Sequence, residues 1–382
     1  MPRLAVNMMV VNGEKILRRC LMPLKGAIDE LVVIDTGSTD KTKQVLDDLA
    51  SELHVSRYYY EVLDQSSKDL FSDVKDSWHL DMPGPFTGLP IPKDWARVRN
   101  ILLECTTADY VLKLDADDEP LCPPENWLRT ALHLDTSPHL DLVAAPYEIY
   151  DGQGNHFWLS MYDRLWRRES GLRWSQVCHE YLMGKTTANT VYVPSGLRVR
   201  DWRDSPGQGA RITHRNLKVL LREYEQNDRR PLTEITCNPQ DFIFQFTLAH
   251  EAVEVFPELA RELLQSCVEN LWFAGSKDDA PDKAMLADCH YHLGRLFEHT
   301  GDVDFALANY ERADRFHPHL QALVKMFLLM VKHKTASECR QLQSKILSIV
   351  GADLTGRKDG IANAIPYNCD LSLLSKVHAW KG

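Results

Sequence analysis

The chain has no pattern that would mark it as secreted, membrane-spanning or disulfide-framed. Its nine cysteines contain no Cys-x-x-Cys pair and their number is odd, which points to reduced thiols and a cytoplasmic setting rather than a disulfide frame or a zinc site. The opening stretch, Met1 to Lys15, has no charged region followed by a long apolar core and a small-residue cleavage site, so no secretory leader is expected. No apolar run is long enough to cross a bilayer. Positive charge is also scarce: 44 Lys and Arg stand against 54 Asp and Glu, a formal net charge of -10. Nucleic acid is therefore conceivable as a partner but unsupported by global charge.

With 382 residues, 44% hydrophobic and 26% charged, the chain is an ordinary globular one and too long for a single compact core. Leu4–Val11 is an apolar run ended by Asn12-Gly13, and Glu30–Asp35 is a second run ended by Thr36-Gly37-Ser38. Helical spacing over Glu14–Leu24 and Thr39–Leu53 follows each. Strand and helix in alternation predict an α/β domain with a mostly parallel sheet, whose ligands sit beyond the carboxyl ends of the strands. Asp64–Lys93, rich in Asp, Ser, Pro and Gly, reads as a long surface loop or lid. A helix is expected from Asp94 to about Thr106, then a third strand over Tyr110–Leu114. Leu140–Tyr150 reads as a strand pair turning at Asp151-Gly152. Past Arg211 only helical periodicity remains, so the expected domains are 1–211 and an all-α domain over 212–382. There Leu293, Gly294, Phe297, Ala306, Tyr310, Ala313 and Pro318 match one tetratricopeptide unit in register. A lone unit cannot bury its apolar face, so it should pack on the first domain or on a second copy of the chain, as a homodimer.

The chemistry concentrates at strand ends. Asp115-Ala116-Asp117-Asp118-Glu119 follows the third strand directly. Carboxylates crowded there are costly unless a cation neutralises them. Hard oxygen ligands suit Mn²⁺ or Mg²⁺, held by one or two carboxylates and a substrate diphosphate. Asp35 ends the second strand, Gly37 permits a tight turn, and Ser38 or Thr39 can cap the next helix. A solvated acidic turn and a simple strand-to-helix turn are the bland alternatives. Arg198, Arg200, Arg203, Arg211 and Arg215 form a basic run that could close on a diphosphate, face an anionic acceptor, or merely be a solvated linker. Trp158, Trp166, Trp174 and Trp202 could be stacking platforms or core.

Five motifs in order resemble the inverting family 2 glycosyltransferases of GT-A fold. They are Asn12-Gly13-Glu14; Asp35 through Asp40; Asp94-Trp95 with Arg99-Asn100; Leu114 through Asp118; and Arg164-Leu165-Trp166-Arg167 leading to Trp174 and His179-Glu180. The resemblance spans about residues 4–225, and His214-Arg215-Asn216-Leu217 fits the helix start that follows the catalytic domain in some members. Gly13, Trp95, Asp118 and the long loop before Asp94 depart from the usual pattern. What the resemblance implies is transfer from a nucleotide-diphosphate sugar, most naturally a UDP-sugar. The donor pocket would be made by Val11, Asn12, Glu14, Asp35, Gly37, Arg99, Asp115 and Ala116. The metal would be held by Asp117, with Asp115 and His179 as further contacts. The acceptor-side base would be Glu180, with His179 and Asp118 as alternatives. The acceptor is open: a glycan, lipopolysaccharide core, peptide or protein, or modified DNA base. A nucleotidyltransferase is a competing class, but residues 8–16 offer only Gly13 where a glycine-rich triphosphate loop is needed. A non-catalytic tetratricopeptide scaffold is the other.

Overall fold

The computed structural model describes residues 2–64, 66, 70–71, 92–138, 140–151, 156–184, 191–192, 196–203, 208–226, 239–274, 283–354 and 369–381. Most of the expected 64–93 loop and the turn at residue 152 lie outside this set. The chain divides into two compact units, Met1–Val219 and Leu220–Gly382.

The first unit begins β1 (Leu4–Val10), α1 (Leu17–Leu21), β2 (Glu30–Asp35), α2 (Thr42–Leu53) and β3 (Arg57–Val62). It continues with α3 (Trp95–Cys105), β4 (Tyr110–Lys113), β5 (Asp118–Pro120), α4 (Pro124–Thr136), β6 (Leu142–Asp151) and β7 (His156–Arg167). The short strands β8 (Arg173–Ser175), β9 (Tyr181–Met183) and β10 (Val191–Tyr192) precede β11 (Val199–Arg203) and the start of α5 (Gln208–Gln226). The main sheet runs β3-β2-β1-β4-β7-β6-β11-β5. Strands β1 to β4 pair in parallel, as do β6 and β11, while β4–β7, β6–β7 and β11–β5 are antiparallel. The α/β class with a mostly parallel sheet expected from the alternation is what the structure shows.

The strands read as unbroken apolar runs because both faces of the sheet are covered. Leu4, Val6, Met8, Leu31, Val33 and Leu112 face one core with α1, α2 and α4, while Met9, Val32, Ile34, Val98 and Leu102 form a second beneath α3. The first expected helix is shortened: Pro23 lies in a 3-10 turn over Met22–Leu24 that follows α1. Helix α2 starts at Thr42 rather than Thr39, because residues 38–41 are bonded to the loop after β1. Asp94 caps α3 by accepting from Arg97 N at 2.9 Å.

The second unit is helical: the end of α5, then α6 (Pro239–Ala252), α7 (Pro257–Ala274), α8 (Lys283–Thr300), α9 (Val303–Phe316), α10 (Leu320–His333), α11 (Ala336–Leu354) and α12 (Leu371–Ala379). Helices α6 to α11 pack each on the next. In the α8–α9 pair Gly294 lets the backbone meet Tyr310, whose ring lies 2.5 Å from where a Cβ would stand. Ala306, Tyr310 and Ala313 are fully buried between the helices, which is the close packing the tetratricopeptide pattern calls for.

Candidate functional site

The parallel strands β1, β2 and β4 point their carboxyl ends the same way, β1 and β2 ending level at Val10 and Asp35 and β4 ending at Lys113 opposite Asn7, and the loops after them carry the motif residues. The first two loops are zipped together. Asn12, at φ 49°, donates its N–H to Ser38 Oγ at 2.8 Å and accepts from Thr39 N on Oδ1 at 2.8 Å. Gly13 N reaches Thr42 Oγ1 at 2.7 Å, and Glu14 Oε2 accepts from Lys41 N at 2.9 Å. A Cβ at Gly13 would meet Val10 Cγ2 at 2.7 Å, so the glycine lets this loop lie close against the end of β1. Asp35 is 1% exposed. Its Oδ1 accepts from Gly37 N at 2.8 Å and Ser38 N at 2.7 Å, and its Oδ2 from the Tyr60 hydroxyl at 2.7 Å. It shapes the turn, and Tyr60, unsuspected from sequence, is part of that arrangement. Val11 is half-buried beside Asn12, and Ala116 packs against the core.

At the end of β4 the acidic turn is built on three basic side chains. Lys113 Nζ lies 2.5 Å from Asp115 Oδ2, and Arg99 donates from Nη2 to Asp115 Oδ1 at 3.1 Å. Burial would raise the Asp115 carboxyl, but Lys113 and then Arg99 outweigh it and hold the carboxyl far below the usual range. The same Arg99 guanidinium donates from Nε to Glu180 Oε1 at 2.7 Å and lies 5.2 Å from the Trp174 ring centroid. For Glu180 too, burial pushes up and Arg99 pulls down, with a net lowering. Arg99 therefore joins the turn after β4 to the loop between β8 and β9. Asn100 helps fix that loop, donating to Trp174 O at 2.9 Å and accepting from Trp174 N at 3.0 Å.

Asp118, one of the expected candidates for the base, lies elsewhere. It is fully buried and its Oδ2 takes both Arg164 Nη1 at 2.5 Å and Asp115 N at 2.8 Å. A carboxylate sealed under the turn and paired to a guanidinium cannot meet an acceptor hydroxyl, so Asp118 is removed from the candidate bases. His179 is exposed, at φ 55°, with Nε2 3.3 Å from Asn216 Nδ2. Trp166 and Trp174 are core residues packed edge to face at 5.5 Å, not platforms. In the basic run, Arg198 pairs with Glu148, Arg200 sits 3.8 Å from Glu119, and Arg215 lies over the Trp95 ring at 5.3 Å. The side chains of Arg203, Arg211, Trp158 and Trp202 are outside the described set.

Asp117 has a different environment from its neighbours. Burial and the carboxylates of Asp201, Asp118 and Asp115 push its carboxyl up to about 8. Asp201 faces Asp118 in the β11–β5 register, and nothing in the sequence pattern singled it out. Among the described residues no group of three or more His, Cys, Asp or Glu side chains is assembled to hold a metal ion. The donor set nonetheless fits a hard divalent cation of the Mn²⁺ or Mg²⁺ type. Such ions take one or two carboxylates and complete their shell with substrate phosphate and water, and a cation at Asp117 would relieve the repulsion that raises its carboxyl.

No protein-family model matches the sequence. A TPR repeat-containing protein of Synechococcus elongatus is 25% identical over 317 residues, 82% of this chain and 66% of that protein, so the match leaves about a third of the relative uncovered. Among solved structures, S. aureus TarS 1-349 aligns at 12% identity over 83% of this chain and 92% of that one, with a TM-score of 0.38. The mannosyltransferase PcManGT from Pyrobaculum calidifontis, in complex with GDP-Man and Mn²⁺, aligns at 13% identity over 85% and 87%, with a TM-score of 0.34. Among the described residues no helix is long and apolar enough to cross a membrane.

Proposed function

We propose that the chain is a metal-dependent, inverting glycosyltransferase of the family 2 type. It moves a sugar from a nucleotide-diphosphate donor, by preference a UDP-sugar, to an acceptor hydroxyl. The observation that carries the reading is the division of charge after β4. Asp115 is neutralised by Lys113 and Arg99, Asp118 by Arg164, and Asp117 faces carboxylates. Asp117 is the carboxylate we assign to the cation. When bound there, Mn²⁺ or Mg²⁺ would lend Lewis-acid stabilisation to the departing diphosphate.

The chain's own residues do the rest. Asn12, Glu14, Asp35 and Gly37 shape the two zipped loops, with Val11 beside them, as the floor for the nucleoside. Asp115 and Ala116 edge it, and Arg99 sets the position of Asp115. Glu180 is our candidate to take the acceptor proton, with the Arg99 bond fixing one of its oxygens, and His179 is assigned to the diphosphate or the metal. The helical unit, tetratricopeptide-like in its α8–α9 pair, is assigned to acceptor or partner binding, where polymeric or anionic acceptors are candidates.

Incubation with a panel of nucleotide sugars and Mn²⁺ tests the reading, scored by slow release of nucleoside diphosphate. A true donor at a hundred times its dissociation constant should also add about 2.7 kcal/mol of stability. Pyrophosphate release from a nucleoside triphosphate and a sugar phosphate would favour a nucleotidyltransferase instead. Neither release nor stabilisation by any donor would leave a scaffold.

A further inference from the structure

We propose that the buried Arg164–Asp118 pair is the positioning device of the acidic turn, holding residues 115–118 so that Asp117 is offered to the cation. The proposal rests on the assignment of Asp117 above. Arg164 and Asp118 are both fully buried, so neither touches substrate and neither is catalytic. Their bonds converge on the turn backbone. Asp118 Oδ2 receives Arg164 Nη1 at 2.5 Å and the N–H of Asp115 at 2.8 Å, while Asp118 N returns a bond to Asp115 O at 3.0 Å. Arg164 Nη1 also donates to Lys113 O at 3.3 Å. The turn is thus closed on itself and tied to the last residue of β4.

The anchor comes from a rigid neighbour. Arg164 lies on β7, which pairs with β4 in the antiparallel register Leu112↔Leu165. Its guanidinium is flanked by the Tyr147 ring at 4.6 Å and the Tyr162 ring at 5.7 Å. A side chain locked in this way on a central strand can hold a functional loop to the tolerance that a metal requires. Pairing Asp118 with Arg164 also keeps Asp118 from competing with Asp117 for the ion.

Stability alone is a poor reason for such a pair. Arg164 Nε and Nη2 and Asp118 Oδ1 are buried without a hydrogen-bond partner among the described residues. A buried pair so incompletely satisfied is commonly no more stable than apolar side chains of similar volume, although removal of one partner alone is costly. That asymmetry separates positioning from mere support.

The test measures melting temperature and Mn²⁺ affinity in the presence of UDP, the latter by the electron paramagnetic resonance of free Mn²⁺. Arg164→Met should lose both. The double variant Arg164→Met with Asp118→Leu should recover the melting temperature, yet bind Mn²⁺ about ten- to hundred-fold more weakly, the usual weight of groups behind a metal ligand. Mn²⁺ affinity equal to wild type in the recovered double variant would overturn the proposal, because the pair would then only fill space. If the double variant does not fold, Arg164→Lys decides. A lysine keeps the charge but not the forked, ring-flanked geometry, so Mn²⁺ affinity should fall, and an unchanged affinity overturns the proposal. Wild-type protein that binds no Mn²⁺ with UDP would remove the assignment of Asp117 and this inference with it. Wild-type binding together with unimpaired variants would remove the positioning role alone.

Discussion

Arg99→Met should destabilise the first unit in a way that depends on pH, and the size follows from the two ion pairs it removes. In the wild type the guanidinium lies between Glu180, whose side chain is 14% exposed, and Asp115, 33% exposed. Breaking a buried pair by deleting one partner costs about 3–5 kcal/mol. The lower end applies, because Asp115 keeps Lys113 and is partly solvated. For a unit of 219 residues, about 3 kcal/mol corresponds to a melting shift of about 6–12 °C. The wild-type Glu180 carboxyl is depressed, so its contribution is present above the unfolded-state value and lost as pH falls through the folded one. Without Arg99 burial dominates and the carboxyl rises. The Glu180 contribution in the variant is then largest in acid and is lost as pH climbs. Scanning calorimetry from pH 4 to pH 8 should show the gap widest at the alkaline end and closing towards pH 4. A constant gap, or none, would refute the claim that Arg99 serves mainly to neutralise these two carboxylates.

Three further outcomes are expected. The raised Asp117 carboxyl should make metal-free wild type lose stability as pH rises from the ordinary carboxylate range to about 8, with no further loss from this group above it, and Asp117→Asn should remove that slope, along with Mn²⁺ binding and transfer, while still melting cooperatively; a slope unchanged in the variant would exclude Asp117 as its source. With saturating Mn²⁺ the acid limb of the pH–rate profile should fall below the ordinary glutamate range, since Arg99 holds Glu180 down, and Glu180→Gln should slow turnover by about a hundred- to ten-thousand-fold; an acid limb above the ordinary glutamate range, or full turnover in Glu180→Gln, would remove Glu180 as the base. Gly294→Ala should destabilise the helical unit by about 1–2 kcal/mol, as overpacking against Tyr310 outweighs the better helix propensity, and urea unfolding showing a gain instead would mean that the ring has room to move.

The strands were legible because continuous apolar runs such as Leu31–Ile34 give way to polar and turn-forming residues, here Asp35 to Ser38, and both faces of the sheet are covered. The motif residues were legible as strand ends, and Gly294 and Tyr310 as a close helix pair. Partners were not. Asp118 looked as available as Asp117, since nothing adjacent in the chain announces an arginine 46 positions away that seals it. Lys113 carried a usable signal: a lysine inside an apolar strand is costly unless a carboxylate meets it, and Asp115 is two residues on. Tyr60 and Asp201 come from strands whose proximity only the sheet order reveals. Helices α11 and α12 lie inside the expected all-α domain, though the sequence does not delimit them individually. Helix α1 stops at Leu21, ahead of Met22-Pro23, although helical spacing continues to Leu24.

The central claim is that Asp117 holds a divalent cation which in turn holds a nucleotide diphosphate. Calorimetric titration of UDP into the protein with and without Mn²⁺ tests it most directly. The account predicts binding that requires the ion, disappears in Asp117→Asn, and persists in Glu180→Gln. UDP binding of equal strength without metal, or unaltered in Asp117→Asn, would contradict it.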